Sequence, residues 1–249
     1  MFKLRSYQRL WRYQYKRLSN HLSLLSDPVL RQVITKGYAV IPHYWDSARC
    51  EKARLAIDSL LSTPQVKVWR DPVNADERIM GADRLSPDLD LIQDPIINRM
   101  IERLYGSSDL AKFTLAARLS AVKGNAGSGQ GWHRDSAFVY QFKAILYLSD
   151  VTQETGPFEY YKGSGNALSM LKFERDYGFS VDQNRFTDSE IEQTNLKHVQ
   201  QFCANQGSLL LVNTRGLHRG KPILFGKRYA LTNYYWPSKI PEHMQSFVN

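Results

Sequence analysis

The sequence predicts a mainly β protein with flanking helices, an α+β chain whose strands form a sandwich or barrel. The chain has 249 residues, 43% of them hydrophobic, which suits one large packed domain. From about residue 112 onward, short apolar runs follow one another, most of them bounded by Gly, Pro or Asn. This pattern is typical of sandwiches and barrels rather than of a βαβ sheet. The longer helical patterns lie ahead of that region.

Residues 1–28 are predicted to form a basic amphipathic helix. Basic side chains cover one face, and apolar side chains recur at steps of three and four residues, at Leu4, Tyr7, Trp11, Tyr15, Leu18, Leu22 and Leu25. Three roles stay open for this helix: packing on the outside of the domain, docking to a membrane surface or partner, and contact with nucleic acid. Nucleic-acid binding is disfavoured, because no second basic patch with interleaved aromatic residues follows downstream.

Residues 29–249 are predicted to form a single domain. Gly37-Tyr-Ala-Val-Ile-Pro42 has the pattern of a strand, and a helix is expected from Asp46, as N-cap, to Leu61. Residues 62–93 are polar and broken by proline, which predicts long loops that close over a site. Asp94-Pro95 then begins a helix that Gly106 ends.

Six apolar runs predict the strands of the β region. They are Phe113 to Val122, Phe142 to Leu148, Glu159 to Tyr161, His198 to Phe202, Ser208 to Asn213 and Tyr229 to Tyr235. Residues 166–197 interrupt the series with a mixed segment that is helical near its start and has a capping-box pattern at 187–190. This segment is the second expected lid.

Charge and cysteine content limit the class of protein. The net charge is +9, from 33 basic and 24 acidic residues, and much of the excess lies near the N-terminus. Cys50 and Cys203 lie outside any CxxC pattern, which excludes a disulfide framework and a cysteine zinc cluster. No uncharged apolar run approaches the roughly 20 residues of a membrane span. We expect a cytoplasmic protein, and the oligomeric state stays open.

Trp132-His133-Arg134-Asp135, which follows a glycine-rich turn, is a candidate metal motif. Two residues apart on an extended segment, His133 and Asp135 can point the same way toward a single ion. His218, after the apolar strand 208–213, could complete a two-histidine, one-carboxylate set that suits non-haem Fe(II) and leaves three positions open. The alternative is a surface histidine beside a solvated aspartate.

Arg228 begins the next strand, ten residues after His218. Its planar guanidinium could hold a carboxylate through two hydrogen bonds, and the alternative is an ordinary surface arginine.

At these residues the sequence resembles the phytanoyl-CoA dioxygenase-like branch of the Fe(II)/2-oxoglutarate-dependent oxygenases, over roughly 37–236. The pieces that carry the resemblance are Gly37-Tyr-Ala-Val-Ile-Pro, Trp132-His-Arg-Asp, Thr155-Gly-Pro-Phe, Lys162-Gly-Ser, Gly207-Ser-Leu-Leu-Leu-Val, His218-Arg-Gly-Lys-Pro and Arg228-x-Ala-Leu-Thr. The family's usual Pro-Gly-Ser-His stands here as Lys-Gly-Ser-Gly165, and its Gly-Asp-Leu as Gly-Ser-Leu. Neither departure touches a metal-ligand candidate.

The resemblance implies that His133, Asp135 and His218 bind Fe(II) and that Arg228 binds the far carboxylate of 2-oxoglutarate. It implies a double-stranded β-helix, the jelly roll of cupin-like proteins, with its core at about 112–236. The implied reaction consumes O2, releases succinate and CO2 and hydroxylates a small organic substrate. Asp135 favours hydroxylation, because halogenating relatives carry a small residue in its place.

Further contacts are expected around the metal. The phenol of Tyr147 could donate a hydrogen bond to 2-oxoglutarate, although a packed tyrosine is an equal alternative. Thr232 should share the strand face of Arg228. Four residues are candidates for the substrate space: Arg118, Trp132, Ser136 and Trp69.

Two competing hypotheses remain. One is a catalytically silent jelly-roll binding module that its basic N-terminal helix docks to a membrane or partner. The other is an enzyme whose macromolecular or carrier-bound substrate is recruited by positive charge. The sequence contains no dedicated coenzyme A motif, so the family name does not identify the substrate.

Overall fold

The computed structural model describes residues 4–11 and 21–248 of the chain. Residues 4–11 are helical and are called α1. Helices α2 to α8 are His21–Leu25, Pro28–Lys36, Ser47–Leu61, Pro95–Tyr105, Ala167–Tyr177, Asp188–Glu192 and Glu242–Gln245. Strands β1 to β6 are Tyr38–Ile41, Trp69–Arg70, Asp76–Met80, Leu110–Ser120, Trp132–His133 and Phe142–Tyr147. Strands β7 to β12 are Phe158–Tyr161, Arg185–Phe186, Val199–Phe202, Leu209–Asn213, His218–Gly220 and Lys227–Pro237.

The strands form two antiparallel sheets that face each other as a jelly roll. The larger sheet has the order β1-β10-β6-β12-β4-β3-β2, and the smaller has the order β8-β5-β11-β7-β9. Tyr147 and Leu210 of the larger sheet pack against Phe158, Tyr160 and Phe202 of the smaller one. The predicted mainly β, jelly-roll class is confirmed.

Helices cover the outer face of the larger sheet. Leu30 of α3, Ile57 of α4 and Ile101 of α5 belong to one buried cluster with alternate residues of the strands, such as Ala144 and Leu146 of β6. Since successive side chains of a strand point to opposite faces, the intervening residues of β6 point into the jelly roll. The helical layer thus decides which residues of each strand face the interior.

The predicted ends of two of these helices are confirmed. The Asp46 carboxylate accepts a hydrogen bond from the N–H of Arg49 at 2.7 Å, and the Asp94 carboxylate accepts two N–H bonds from the first turn of α5. Gly106 ends α5 in the left-handed region, at φ 68°, where a residue with a Cβ is strained. The capping box predicted at Thr187 and Glu190 is also formed.

The prediction of loops throughout 62–93 was wrong in its centre. The hairpin β2–β3 lies there, and β3 pairs with β4 from Asp76–Leu119 to Met80–Leu115. The polar composition does not predict this strand. Its charged side chains are accommodated because they form ion pairs in the fold, as Glu77 does with Arg118 at 2.6 Å. Residues 69–80 of the expected lid therefore form an edge of the larger sheet.

Helix α1 packs against helix α6 of the domain. Leu10 of α1 is fully buried with Ala167 and Met170 of α6, and the Tyr7 hydroxyl donates to Glu174 at 2.6 Å. The prediction that Leu4 and Trp11 lie on the buried apolar face of this helix was wrong, since both side chains are exposed. Tyr15 and Leu18 lie at 12–20, outside the described residues.

A single helix through residue 28 is not formed, because α2 ends at Leu25 and Asp27 caps the new helix α3 through the N–H groups of Val29 and Leu30. Within the described ranges, no helix combines the length and the apolar character needed to cross a bilayer. Both cysteines are free thiols, Cys50 buried and Cys203 exposed.

Candidate metal centre

Two histidines meet across neighbouring strands inside the jelly roll. His133 ends β5 and is the register partner of His218, the first residue of β11. Their ring centroids lie 4.2 Å apart. The antiparallel pairing therefore brings together two imidazoles that are 85 positions apart in the sequence.

Backbone carbonyls fix both imidazole rings in the same way. His133 Nδ1 lies 3.0 Å from the carbonyl oxygen of Gly131, and His218 Nδ1 lies 2.9 Å from that of Gly216. A carbonyl can only accept, so each Nδ1 donates its proton and each Nε2 keeps a free lone pair. Gly129 makes room for the first ring, because a Cβ at this position would lie 2.3 Å from His133 Cε1.

Asp135 adds a carboxylate to the two rings. Its N–H donates to the Thr214 carbonyl at 3.0 Å, which holds the residue beside β10 and β11. Its Oδ1 lies 3.7 Å from His133 Nε2. One ligand atom each from His133, Asp135 and His218 falls within 4.8 Å of the others. The three predicted metal ligands are thus brought together in the fold.

Burial and charge set the protonation states of these three residues. Burial lowers the pKa of His133 to about 4 and that of His218 well below its ordinary value, so both rings are neutral at pH 7. Burial alone would raise the pKa of Asp135. The nearby Lys143 ammonium and the two imidazoles outweigh it, and the pKa of Asp135 lies well below its usual range. Neutral imidazoles and an ionised carboxylate are the forms that bind a divalent metal.

Lys143 is a part of the site that the sequence analysis missed. Its Nζ lies 2.7 Å from Asp135 Oδ2, and it sits 4.2 Å from the centre of the Tyr234 ring. The ion pair with Asp135 keeps the pKa of Lys143 raised despite its burial. The available clue was a lone charge in the apolar run Phe142 to Leu148.

Arg228 is a buried cation on the neighbouring strand β12. The residue is 5% exposed, and its Nε and Nη1 atoms have no hydrogen-bond partner among the described residues. Burial lowers its pKa. Gly220 allows the close approach, since a Cβ there would lie 3.0 Å from Arg228 Nη2 and 2.5 Å from Ser128 Cβ. An unpaired buried guanidinium is costly, which indicates a position for an anion.

The triad and Arg228 line one cavity of about 410 Å³. Much of its wall is apolar, from strands β3, β4 and β6 of the larger sheet, and includes Met80, Leu115, Leu119 and Ile145. Arg78 and Arg185 add two more cations to the lining. The cavity can therefore hold a metal and a small anion side by side.

The C-terminal segment covers part of this cavity and was not predicted to do so. His243, Met244 and Phe247 line the cavity, and Val248 forms a β-bridge with Met80 of β3. Of the two predicted lids, 62–93 contributes Trp69, Arg78 and Met80, and 166–197 contributes Arg185.

The structure separates the other predicted site residues into two groups. Trp69 and Thr232 line the cavity. Tyr147 lines it too, but its hydroxyl donates to the Phe202 carbonyl and accepts from the Phe158 N–H, and burial raises its pKa to about 12. These contacts are those of the packed-tyrosine alternative, and a hydrogen bond from Tyr147 to 2-oxoglutarate stays a prediction.

Three candidates for the substrate space lie elsewhere. Arg118 points to the helical side of the sheet, where Glu77 and Asp58 pair with it. Trp132 is buried in an aromatic cluster on the smaller sheet, with Arg219 4.8 Å above its ring. Ser136 lines an adjoining cavity of about 330 Å³ that shares Asp135 with the first, and its Oγ accepts two backbone N–H bonds.

The fold and this site define a class: a jelly-roll protein with a two-histidine, one-carboxylate centre. Residues 34–226 match the family model described as phytanoyl-CoA dioxygenase (PhyH). The chain belongs to the phytanoyl-CoA dioxygenase family. The comparison with curated proteins gives no match.

Several solved structures share the fold at low sequence identity. SnoN from nogalamycin biosynthesis, in complex with Fe3+, alpha ketoglutarate and nogalamycin RO, aligns with a TM-score of 0.62 and 19% identity over 83% of this chain and 81% of that one. HygX from Streptomyces hygroscopicus, with nickel, 2-oxoglutarate and hygromycin B bound, gives 0.58 and 17% over 85% and 87%. EvdO2 from Micromonospora carbonacea var. aurantiaca, complexed with 2-oxoglutarate, gives 0.60 and 15% over 88% and 95%.

Proposed function

We propose that this protein is an Fe(II)/2-oxoglutarate-dependent oxygenase that oxidises a small organic substrate. The observation that carries the proposal is the shared cavity, which contains both the triad and the unpartnered guanidinium of Arg228. Membership of the phytanoyl-CoA dioxygenase family supports it. Solved proteins of the same fold contain iron or nickel together with 2-oxoglutarate.

The donor set fits Fe(II). Two neutral imidazole Nε2 atoms and one carboxylate oxygen form the facial triad of non-haem iron oxygenases, which leaves positions open on the ion. His133 and His218 need no rearrangement of their protons, because their Nδ1 atoms already donate to backbone carbonyls. We assign the metal to His133, Asp135 and His218.

The cavity also fits 2-oxoglutarate, a dianion. Arg228 offers a buried guanidinium whose Nε and Nη1 are unbonded, and a guanidinium can pair with a carboxylate through two parallel hydrogen bonds. Thr232 lies on the same face of β12 and lines the same cavity. We assign the distal carboxylate of 2-oxoglutarate to Arg228, with Thr232 beside it.

Iron(II) with 2-oxoglutarate would supply the oxidising chemistry, in which O2 is consumed, succinate and CO2 are released and a substrate C–H bond is oxidised. The chain's own part is to orient and to exclude water. Lys143 holds Asp135 Oδ2, which leaves Oδ1 on the side of His133, where it would be free to bind the metal. The apolar wall around Leu115 and Ile145 keeps the reacting groups out of bulk water.

We propose hydroxylation as the outcome, on the basis of Asp135. A carboxylate at this position occupies the coordination site that a halide needs in a halogenating enzyme. Solved proteins of this fold include an epimerase and a carbocyclase, so other oxidative outcomes are alternatives for the same site.

The decisive experiment is anaerobic titration of purified protein with Fe(II) and then 2-oxoglutarate, followed by measurement of succinate after O2 is admitted. We expect one metal per chain, metal-dependent binding of 2-oxoglutarate and slow succinate formation without substrate. His133→Ala and Asp135→Ala should lose all three. A protein that binds neither iron nor 2-oxoglutarate would instead be the silent binding module.

A further inference from the structure

We propose that the organic substrate carries a negatively charged group, a carboxylate or a phosphate, which binds Arg185 at the mouth of the metal cavity. The inference rests on the proposed function, because it concerns the substrate of that same site. It comes from the charges that line the cavity and from the position of Arg185.

Positive side chains outnumber negative ones around the cavity. Four cations line it, namely Arg78, Lys143, Arg185 and Arg228. Asp135 is the one carboxylic acid among the described residues of the lining, and it pairs with Lys143 at 2.7 Å. Arg78 pairs with the buried Asp76, whose two oxygens each lie 3.0 Å from its Nε. Arg185 and Arg228 are left without acidic partners.

Metal and co-substrate do not remove this surplus. The two positive charges of Fe(II) equal the two negative charges of 2-oxoglutarate, and Lys143 already balances Asp135. Once Arg228 holds the distal carboxylate, one positive charge remains unmatched at the metal and another at Arg185. The buried Asp71 also acts on Arg78, but it belongs to the β2–β3 turn, where its Oδ1 accepts hydrogen bonds from the N–H groups of Ala75 and Asp76.

Arg185 is placed to act on a substrate beside the metal. It is the register partner of His133 in the β5–β8 pair, so its side chain leaves the sheet on the same side as the imidazole. Its Nη1 donates to the carbonyls of Gly129 at 2.5 Å and Gln130 at 3.3 Å. These bonds anchor the guanidinium while the residue stays exposed.

Arg185 has no acidic partner among the described residues. Within residues 4–11 and 21–248, no carboxylate lies within 4.0 Å of its nitrogens. Arg219 of strand β11 in the same sheet is, by contrast, paired with Glu159 at 2.5 Å and with Asp188. A guanidinium that is anchored by backbone, lines the cavity and lacks an acid is suited to an anionic group of the substrate.

The test uses protein loaded with Co(II), which does not turn over, and saturated with 2-oxoglutarate. Two pairs of probes are titrated by calorimetry, 3-phenylpropanoate against its neutral amide and phenyl phosphate against phenol. We expect each anion to bind about tenfold or more tightly than its neutral counterpart, and to bind more weakly as salt is raised. The anion with the larger preference tells whether carboxylate or phosphate is the native group.

Two variants isolate Arg185. Arg185→Gln should reduce the affinity for the anions by about tenfold and leave the neutral probes and 2-oxoglutarate unchanged. Arg175→Gln removes the same charge from α6, outside the cavity, and should change nothing.

Three results would overturn the inference. They are equal binding of anionic and neutral probes, failure of both anions to bind, and an equal loss in the two variants. Displacement of 2-oxoglutarate by the probes would also count against it, since the probe would then occupy Arg228. Failure of Co(II) and 2-oxoglutarate to bind at all would be a different result, because it rejects the proposed function itself.

Discussion

Arg118 and Arg228 lie on paired strands of the same sheet and have opposite surroundings. Arg118 of β4 faces the helices, where Glu77 accepts from its Nε at 2.9 Å and Asp58 accepts from its Nη1 at 2.6 Å. Arg228 of β12, whose register partner is Leu119, faces the interior, and its Nε and Nη1 have no partner among the described residues. The paired arginine stabilises the fold, whereas the unpaired one costs stability and indicates a ligand.

The same contrast separates the two faces of the sheet as a whole. On the helical face, Asp58 has cationic and phenolic partners and belongs to the packing of α4. On the inner face, Asp135 has its Oδ1 directed toward His133, a ring that burial keeps neutral. On the inner side, Lys143 and Arg78 are paired with carboxylates, whereas Arg228 has nitrogen atoms without a partner and can bind a ligand.

The largest difference is expected for the two aspartates. Asp135→Ala removes the only carboxylate of the triad and should weaken the affinity for Mn(II) or Fe(II) by roughly 1000-fold. Asp58→Ala, the matched change on the helical face, should leave metal affinity unchanged. Equilibrium dialysis with metal analysis measures both. Full metal binding by the Asp135 variant would remove it from the site.

The second-largest effect is expected for Arg228, whose replacement should weaken ligand binding without lowering the stability of the fold. Arg228→Met should weaken the affinity for 2-oxoglutarate by about 100-fold, because a buried charged hydrogen-bond pair is lost. The metal-free, ligand-free variant should unfold with equal or greater free energy, since a buried unpaired charge is gone. Calorimetry measures the affinity for 2-oxoglutarate, and urea unfolding measures the free energy of unfolding. A destabilised variant with normal 2-oxoglutarate affinity would mean that Arg228 is structural.

Acid should destabilise the metal-free protein, because protonation of the largely buried His133 on the inner face favours the unfolded chain. His133 has a folded pKa of about 4 against about 6.5 when unfolded, so the unfolded chain binds a proton first. Its contribution is present above pH 6.5 and is lost as the pH falls toward 4. With a discount for a side chain that is 13% exposed, the loss is about 2 kcal/mol.

Urea unfolding of the wild type and His133→Asn between pH 7 and pH 4 measures this contribution. The wild type should lose about 2 kcal/mol more than the variant over this interval. Parallel curves for the two proteins would show that His133 titrates in the fold as it does in the unfolded chain.

The smallest effect is expected for the outer arginine. Arg118→Met should lower the free energy of unfolding by about 1 kcal/mol, because its ion pairs with Glu77 and Asp58 are partly exposed and screened. The affinity for 2-oxoglutarate should not change, in contrast to Arg228→Met. A reduced affinity in this variant would mean that the two faces of the sheet are coupled.

Local sequence patterns were sufficient to predict much of the fold. The caps at Asp46 and Asp94 and the glycine at 106 follow from side chains acting on neighbouring backbone, so they appear in the sequence. Strand β3 does not follow, because its charged residues are stabilised by a partner 41 positions away, Arg118 for Glu77. The position of the Trp132 ring could not be predicted for the same reason, since it depends on the aromatic cluster formed in the fold.

Local sequence patterns were enough to predict the candidate metal ligands and the class of the fold. His133 and Asp135 are two residues apart on extended chain, a spacing that puts both side chains on one side, and the apolar alternation defines the strands around them. Which other charged residues lie beside His133 and Asp135 depends on the tertiary structure. Both faces of the larger sheet are buried, one by helices and one by the second sheet, so period-two alternation cannot tell whether Lys143 or Arg118 faces the metal. The register between strands from distant parts of the chain makes that choice.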